Sequence, residues 1–306
     1  MNVLLVAEES AGIQVLRALA ASTHTVVAAM TAPPTRGGGA TVGGVAEQLG
    51  VPVVPSERVR DAETAAWMRD EGVDLLLNVH SLYLIAGEVV AAPRIGSFNL
   101  HPGPLPEYAG LNTPSWAIYN GEPQHGVTVH WMEPGVDTGA IAYEARFDLT
   151  DSDTGLSVSA RCVREGVPLI ERLLETAAED PAAIPKDEQD LSRRHYYRRA
   201  EVPDEGRVIW SRPAQRIVDF VRASDYFPFA SPWGSPATNL EGEELAVLKA
   251  SRMEEPTEAP PGTVGEPRER GIPVAAADEW VLVERVLQGG RAQPAAEVLP
   301  PGLTLT

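Results

Sequence analysis

The sequence has one cysteine and no long apolar run, and these two absences bound the kind of protein that it encodes. Cys162 is the only cysteine among 306 residues, so an intrachain disulfide is impossible and the cytoplasm is the simplest expected compartment. The absence of any run of 18 apolar residues argues against a membrane-spanning helix. Residues 1–5 have no basic region ahead of their apolar stretch, so they predict a first strand instead of a signal peptide.

Basic residues are scarce relative to acidic ones. The chain has 25 Lys and Arg against 43 Asp and Glu, which gives a formal net charge of −18 and a pI near 4.7. A protein that grips nucleic acid must neutralise several phosphates with cationic side chains, so this charge favours a small-molecule partner over nucleic acid. Solubility alone would explain the same acidity equally well.

Short apolar runs alternate with helical patterns over the first hundred residues. The apolar and β-branched runs predict buried strands that begin near Val3, Thr25, Val51, Val73 and Ile95. The helical patterns between them cover about 10–19, 42–49 and 61–71. This alternation predicts an α/β fold with a parallel, doubly wound, Rossmann-like sheet.

Composition divides the chain into three parts. Residues 1–180 carry the α/β pattern and predict one large domain. Residues 181–204 are polar, charged and contain proline, which is typical of a linker. Residues 205–306 hold a short helix and then short apolar runs separated by Pro and Gly, which predicts a small all-β barrel domain.

Two further elements are expected in the second half of the large domain. The runs 126–131 and 139–143 predict the strands of a hairpin, joined by a loop that contains Asp137. Residues 154–178 predict a helix, which Pro168 should kink or divide.

Polar side chains stand where two of the predicted strands end. Asn78, His80 and Ser81 follow one apolar strand, and Asn99 and His101 end the next. Ligands of open α/β sheets bind at the carboxyl ends of the strands. The sequence therefore predicts a binding site at this edge of the sheet.

Asn99, His101 and Asp137 have the chemistry that acyl transfer needs. Asn99 and His101 are two residues apart and share one face of an extended segment. An Asn amide can donate to a developing oxyanion, a His can exchange protons near neutral pH, and a carboxylate can orient that His. The spacing alone is a weak signal, because an isolated Asn-x-His pair is more often structural.

Three sequence elements strengthen this interpretation, because together they resemble the 10-formyltetrahydrofolate-dependent formyltransferases. The segment 98–110 resembles the family signature of Asn-x-His followed by a loop with Leu-Pro and then Gly. Residues 126–128 and 136–141 match its third element in the correct order, and 208–223 resemble the start of its C-terminal domain. The resemblance implies a formyl transferase with a Rossmann-like catalytic domain followed by an OB-like β-barrel domain.

The resemblance also implies the donor and the role of each residue. The donor would be 10-formyltetrahydrofolate, and no metal is implied or indicated by ligand spacing. His101 would act as acid and base on the attacking amine, Asn99 would hydrogen-bond the formyl oxygen, and Asp137 would hold His101. The backbone of Tyr83, Leu84 and Ile85 would bind the pterin ring, although strand-end packing would explain this segment too.

Several other features are discounted as chemistry. His80 lies at a strand end, where a structural role is as well supported as a place in the pocket. No constellation is apparent in the sequence around the remaining histidines, which are His24, His125, His130 and His195. The basic, aromatic run 193–199 could contact RNA, but a packed or salt-bridged strap is the stronger expectation.

The identity of the acceptor depends on charge. In tRNA-acting members the loop after the second strand is rich in Lys and Arg, whereas the loop 33–42 here has one cation, Arg36. The C-terminal domain of those members is typically basic, whereas residues 205–306 here hold 10 basic and 15 acidic residues. Leu111 replaces an arginine of nucleotide-sugar members, and 111–118 resemble members from siderophore and peptide natural-product pathways.

These departures favour a small amine acceptor of secondary metabolism, such as an N-hydroxyornithine-type amine or an amino sugar. Methionyl-tRNA is the alternative acceptor within the family. Hydrolysis of 10-formyltetrahydrofolate and non-catalytic folate binding are alternatives of other classes. A nicotinamide oxidoreductase is disfavoured, because the first strand–helix turn, residues 7–12, lacks Gly-x-Gly-x-x-Gly.

Overall fold

The computed structural model describes residues 1–33, 39–81 and 83–306. Leu82 and residues 34–38 of the loop discussed for tRNA binding, including Arg36, lie outside the described residues. The chain forms two compact units that interleave along the sequence. The first unit comprises 1–110, 125–147 and 160–196, and the second comprises 111–124, 148–159 and 197–306.

The first unit is built on a seven-stranded sheet. Its strands are β1 (Asn2–Ala7), β2 (Thr25–Thr31), β3 (Val53–Pro55), β4 (Leu75–Val79), β5 (Gly96–His101), β7 (Gln124–Trp131) and β8 (Ile141–Asp148), with the two-residue β6 (Ala109–Gly110) outside it. The strand order is β3-β2-β1-β4-β5-β7-β8. Strands β1 to β5 pair in parallel, and β7 runs antiparallel to β5. The predicted parallel α/β sheet is thereby confirmed, and the two predicted hairpin strands are neighbours.

The helices of the α/β part follow the expected alternation. They are α1 (Glu9–Ala21), α2 (Val42–Gln48), α3 (Ala62–Asp70), α4 (Gly87–Val90), α5 (Thr113–Asn120) and α6 (Gly155–Glu179), with short 3-10 turns at Ser56–Arg60, Pro181–Ala183 and Leu191–Arg193. Strand β1 is buried over Val3–Ala7, because helices cover both faces of a parallel sheet. Helix α1 turns Ile13, Leu16 and Leu19 towards the interior.

The sequence predicted that Pro168 would kink or divide the long helix, and the helix is not divided. Helix α6 runs as one element over 25 residues with Pro168 inside it. A proline removes one intrahelical hydrogen bond and disturbs the preceding turn. Buried side chains on both sides of it, Val158 before and Ile170 and Leu173 after, supply the packing that maintains the helix.

The second unit contains an antiparallel sheet that returns on itself. Its elements are β9 (Tyr196–Tyr197, which begins one residue earlier), α7 (Ala214–Ala223), β10 (Ala237–Leu240), β11 (Glu243–Pro256), β12 (Ile272–Ala275), β13 (Glu279–Gln288) and β14 (Arg291–Pro294), with 3-10 turns at Pro203–Gly206 and Ala295–Glu297. The main order is β10-β11-β13-β12. Isolated bridges Leu240–Leu305, Thr263–Thr304 and Val264–Val274 join β10 to β12, so the strands follow a circuit. The small β domain is present, and its OB-like character stays a prediction.

Helix α5 belongs to the second unit because its aromatic side chains pack there. Trp116 lies 4.8 Å from the ring of Trp233, and Tyr119 contacts Phe220 edge-on at 5.7 Å. The Ser115 hydroxyl donates to the carbonyl of Ala223 at the end of α7. Residues 111–124 thus group with the second compact unit, although they lie within the segment 1–180. No helix in the described parts of the chain is long and apolar enough to cross a membrane.

Burial of His125 makes the stability of the first unit sensitive to acid. His125, on β7, is 1% exposed, and its Nε2–H donates to the carbonyl of Pro102 at 2.9 Å. Burial lowers the pKa of His125 to about 4. In the unfolded chain the His pKa is about 6.5, so the unfolded state binds the proton first as the pH falls.

We expect His125 to destabilise the fold progressively between pH of about 6.5 and 4, by about 3 kcal/mol at the lower end. Calorimetric melting temperatures should fall less steeply over this range in His125→Gln than in the wild type. The exposed His195, changed to Gln, is the matched control and should keep the wild-type slope. Equal slopes for His125→Gln and the wild type would contradict this assignment.

Candidate active site

Three polar side chains lie in register across three neighbouring strands. Asn78 on β4 pairs with Asn99 on β5, and Asn99 pairs with His130 on β7. Residues in register project to the same face of a sheet. Asn78 Nδ2 donates to Asn99 Oδ1 at 2.9 Å, and Asn99 Nδ2 lies 3.0 Å from His130 Nε2. The strand pairing thus builds a continuous hydrogen-bonded row.

Asp137 reaches this row from the loop between β7 and β8. Its backbone is in the left-handed region, with φ of 55°, which is uncommon for a residue other than glycine. Its Oδ1 accepts from Asn99 Nδ2 at 3.3 Å, and its Oδ2 accepts from the backbone N–H of Gly110 at 2.8 Å. Burial raises the pKa of Asp137, but the positive charge that His101 carries at acidic pH and the Gly110 hydrogen bond outweigh burial and hold this pKa well below its ordinary value. The carboxylate is therefore ionised.

His101 stands on the other side of the Asp137 carboxylate. It is 3% exposed, and its Nε2–H donates to the carbonyl of Tyr108 at 2.6 Å. Its Nδ1 lies 3.6 Å from Asp137 Oδ2. Burial lowers the pKa of His101 and outweighs the opposing effect of Asp137. His101 is therefore neutral near pH 7, with an unprotonated Nδ1 that can accept a proton beside a carboxylate.

His130 is a site residue that the sequence interpretation missed. It is 2% exposed, its Nδ1–H donates to the carbonyl of Trp131 at 2.7 Å, and its Nε2 lies 3.4 Å from Asp137 Oδ1. The expectation that no constellation surrounds this histidine is wrong. The antiparallel register of β7 against β5 places it beside Asn99, and a long-range pairing of this kind leaves no local sequence signal.

A cavity of about 340 Å³ opens at this row, within the size range of small-molecule sites. Its lining consists of Asn78, Tyr83, Leu84, Ile85, Gly87, Val90, Asn99, His130, Met132, Glu133, Pro134, Gly135, Val136 and Asp137. Of the six residues predicted for the site, five line the cavity. The sixth, His101, is set behind Asp137. His80 is not among the described lining residues, and its Nδ1 lies 3.5 Å from the Glu9 carboxylate.

The segment predicted to bind a pterin ring forms one wall of this cavity. The Arg60 guanidinium stacks over the Tyr83 ring at 4.2 Å and fixes that side chain. The backbone groups of Leu84 and Ile85 form no hydrogen bond with another described residue. Unpaired donors and acceptors beside an apolar wall fit the edge of a flat heterocycle that carries both kinds of group.

The segment after α6 holds the Asp137 loop in place. Gln189 Nε2 donates to the carbonyls of Asp137 at 3.1 Å and Gly139 at 2.6 Å. Arg194 donates to the carbonyl of Val136 at 2.9 Å, and Arg193 forms an ion pair with Glu107. This stretch was expected to be a linker, with a strap at its basic run. At these positions it is a strap that fixes the left-handed loop.

Close backbone packing at the same loop requires glycine. A Cβ on Gly139 would lie 2.0 Å from the carbonyl oxygen of Trp131, and a Cβ on Gly96 would lie 2.5 Å from the Trp131 ring. Both contacts are shorter than atoms tolerate, so the two glycines let Trp131 pack against the ends of β5 and β8. The Trp131 indole N–H donates to the Pro185 carbonyl at 2.8 Å, which anchors the strap as well.

The fold and this site define an α/β enzyme of acyl-type group transfer, and comparison with known families specifies the group. Residues 1–173 match the family model described as formyl transferase, and residues 202–300 match the model described as formyl transferase, C-terminal domain. The chain therefore belongs to the formyl transferase family, whose members transfer formyl groups.

Named relatives fall into more than one group. A methionyl-tRNA formyltransferase of Sorangium cellulosum is 31% identical over 267 residues, which cover 84% of this chain and 81% of that protein. An N-formyltransferase of Helicobacter canadensis, solved with folinic acid and dTDP-3-aminofucose, has a TM-score of 0.71 at 15% identity and covers 92% of this chain and 98% of its own. HypX of Aquifex aeolicus, solved with tetrahydrofolic acid, has a TM-score of 0.66 at 19% identity and covers 97% of this chain but 46% of its own. At these identities the two solved structures bear on the fold alone.

Gln189 provides a test of the strap. In Gln189→Ala two hydrogen bonds to buried carbonyls are lost, so the loop 133–139 should open more often. We expect amide hydrogen exchange in peptides covering this loop to accelerate about tenfold, as a loss of about 1.4 kcal/mol would give.

Gln48→Ala, at the exposed end of α2, is the matched control and should leave exchange in this loop unchanged. Gln189→Glu should accelerate exchange further at neutral pH, because a carboxylate cannot donate to the two carbonyls. Wild-type protection of the loop in Gln189→Ala would show that the strap is dispensable.

Proposed function

We propose that this protein transfers the formyl group of 10-formyltetrahydrofolate to the amine of a small-molecule acceptor. The convergence of Asn99, Asp137 and His101 at one end of the sheet, in a chain of the formyl transferase family, is the observation that supports formyl transfer. The cavity beside Asn99 has the size and the mixed lining that a pterin requires. The relatives solved with folinic acid and tetrahydrofolic acid support a folate donor.

Asn99 would stabilise the negative charge that develops on the formyl oxygen. When the amine nitrogen attacks the formyl carbon, the carbonyl oxygen becomes an oxyanion. Asn99 lines the cavity, and its Nδ2 carries two N–H bonds. One donates to Asp137, and the other, which lies towards His130 Nε2, would be shared with the oxyanion. A donor of this kind is worth about 2.7–4 kcal/mol in the transition state.

Asp137 and His101 would together manage the protons. The attacking amine must lose a proton, and N10 of the folate must gain one as its bond to the formyl carbon breaks. Asp137 lines the cavity, and His101 Nδ1 lies 3.6 Å behind its carboxylate. The Asp137 carboxylate would therefore relay the proton of the amine to His101 Nδ1. The Asp137 charge then stabilises the imidazolium that forms.

The charge of the chain supports a small acceptor over a tRNA. Its 25 basic residues face 43 acidic ones, which opposes the binding of a polyphosphate chain. Arg193 and Arg194, in the basic run that could contact RNA, already serve Glu107 and the Val136 carbonyl. An N-hydroxyornithine-type amine or an amino sugar carries no such chain of phosphates.

Methionyl-tRNA is the second candidate acceptor. It is favoured by the similarity of this chain to methionyl-tRNA formyltransferases, to two of which it is 31% and 33% identical. Such a tRNA would need a local basic surface on this acidic chain. The two acceptors can be separated by a single assay because they share the donor.

The test is the release of tetrahydrofolate from 10-formyltetrahydrofolate in the presence of methionine-charged initiator tRNA or of a small-amine panel. The panel contains N5-hydroxyornithine and a nucleotide-linked amino sugar. We expect a small amine to raise release at least about 100-fold over the rate without acceptor, as binding and orientation of a nucleophile would. Asp137→Asn is the control that should remove this stimulation.

Each other outcome overturns a distinct part of the proposal. If charged tRNA is the best acceptor, the charge argument is wrong and formyl transfer stands. Equal release with and without acceptor indicates a hydrolase. Tight folate binding without any release indicates a binding protein and sinks the catalytic proposal.

A further inference from the structure

Asn99 is an amide whose two ends have opposite hydrogen-bonding character, so its function depends on which end faces the cavity. Its Nδ2 must point towards Asp137 and the cavity if it is to donate to an oxyanion. If the amide turned over, Asn99 Oδ1 would face the Asp137 carboxylate instead. Something in the structure has to fix this orientation.

The Asp137 carboxylate can only accept, so it fixes one side of the row. The Asp137 carboxylate is ionised and accepts from Asn99 Nδ2. His130 Nε2 lies 3.0 Å from the same Asn99 nitrogen. Asp137 therefore requires the nitrogen of Asn99 on this side.

Asn78 completes the pattern from the opposite side. With its nitrogen committed, Asn99 presents Oδ1 towards β4, where Asn78 Nδ2 donates to it at 2.9 Å. The parallel pairing of β4 and β5 places the two side chains directly opposite each other. Asn78 Oδ1 is buried and has no hydrogen-bond partner among the described residues, so its nitrogen alone connects it to the row.

We propose that Asn78 is a positioning residue that fixes the orientation of the Asn99 amide, so that the Asn99 N–H groups face Asp137 and the reacting formyl oxygen. Donation from Asn78 makes the correct orientation favourable at both ends of Asn99. The inference rests on the formyl transfer proposed above for its activity readout. Asn78 acts through Asn99, and its effect should appear in the transition state.

The decisive substitution is Asn78→Asp, which keeps the size of the side chain and replaces its donor with an acceptor at neutral pH. Asn99 then has a carboxylate on both sides. Its single Oδ1 therefore faces a carboxylate, and is repelled by it, in either orientation of the amide. We expect kcat at about pH 8 to fall about 100-fold, as for a misplaced oxyanion donor, with the amine KM within about threefold of the wild type.

The pH profile distinguishes this role from simple damage. Burial and the nearby Asp137 charge raise the pKa of the introduced carboxyl group, and its protonated form can again donate to Asn99 Oδ1. The ratio of variant kcat to wild-type kcat should therefore rise by up to about tenfold for each pH unit of acidification above that pKa. Asn78→Ala has no titrating group and should show a low, flat ratio.

Asn239→Asp, on β10, is the control for an added charge and should match the wild type across the pH range. If Asn78→Asp does not fold, Asn78→Ser is compared with Asn78→Ala, because only the hydroxyl of Ser can donate to Asn99. A flat ratio for folded Asn78→Asp, a kcat within threefold of the wild type, or equal activity of the Ser and Ala variants would overturn the proposal. Wild-type protein without formyl transfer activity would instead overturn the proposed function.

Discussion

The buried, ionised carboxylate of Asp137 is the interaction on which the rest of the site depends. As an acceptor of both Asn99 Nδ2 and the Gly110 N–H, it determines which end of the Asn99 amide faces the cavity. Its other neighbour, His101, is neutral and presents an unprotonated Nδ1 to it. A buried charge that lost such partners would cost about 3–5 kcal/mol, so these contacts act as a unit.

Several features of the fold serve to place the Asp137 side chain. The left-handed backbone at Asp137, the donation from Gln189 to its carbonyl and the close approach of Gly139 to Trp131 all concern the same loop. Strain of this kind persists only where the surroundings over-determine the conformation. The strap after α6 supplies those surroundings. An irregular segment without a recognisable sequence motif thus contributes to the geometry of the cavity.

Local signals made much of this predictable from the sequence. Buried strands produce continuous apolar runs, and the Asn99–His101 spacing and the Asp137 loop lie within short motifs, so they could be recognised without a structure. The strand-end position of Asn78 placed it near the predicted site, but its contact with Asn99 depends on the register of β4 against β5. His130 could not be recognised, because only the register of β7 against β5 brings it to Asn99. Gln189 acts from an irregular segment with no period to read, and the continuity of α6 through Pro168 depends on packing instead of local propensity.

The ionisation state of Asp137 can be measured directly in protein labelled with ¹³C at the Asp carboxyl carbons. The resonance that disappears in Asp137→Asn identifies the group. We expect this resonance to keep the chemical shift of an ionised carboxylate from about pH 8 down to about pH 4, below the range where a destabilised buried carboxyl would titrate. A titration midpoint between about pH 5 and 8 would contradict a permanently ionised Asp137, and with it the orientation of the hydrogen-bonded row.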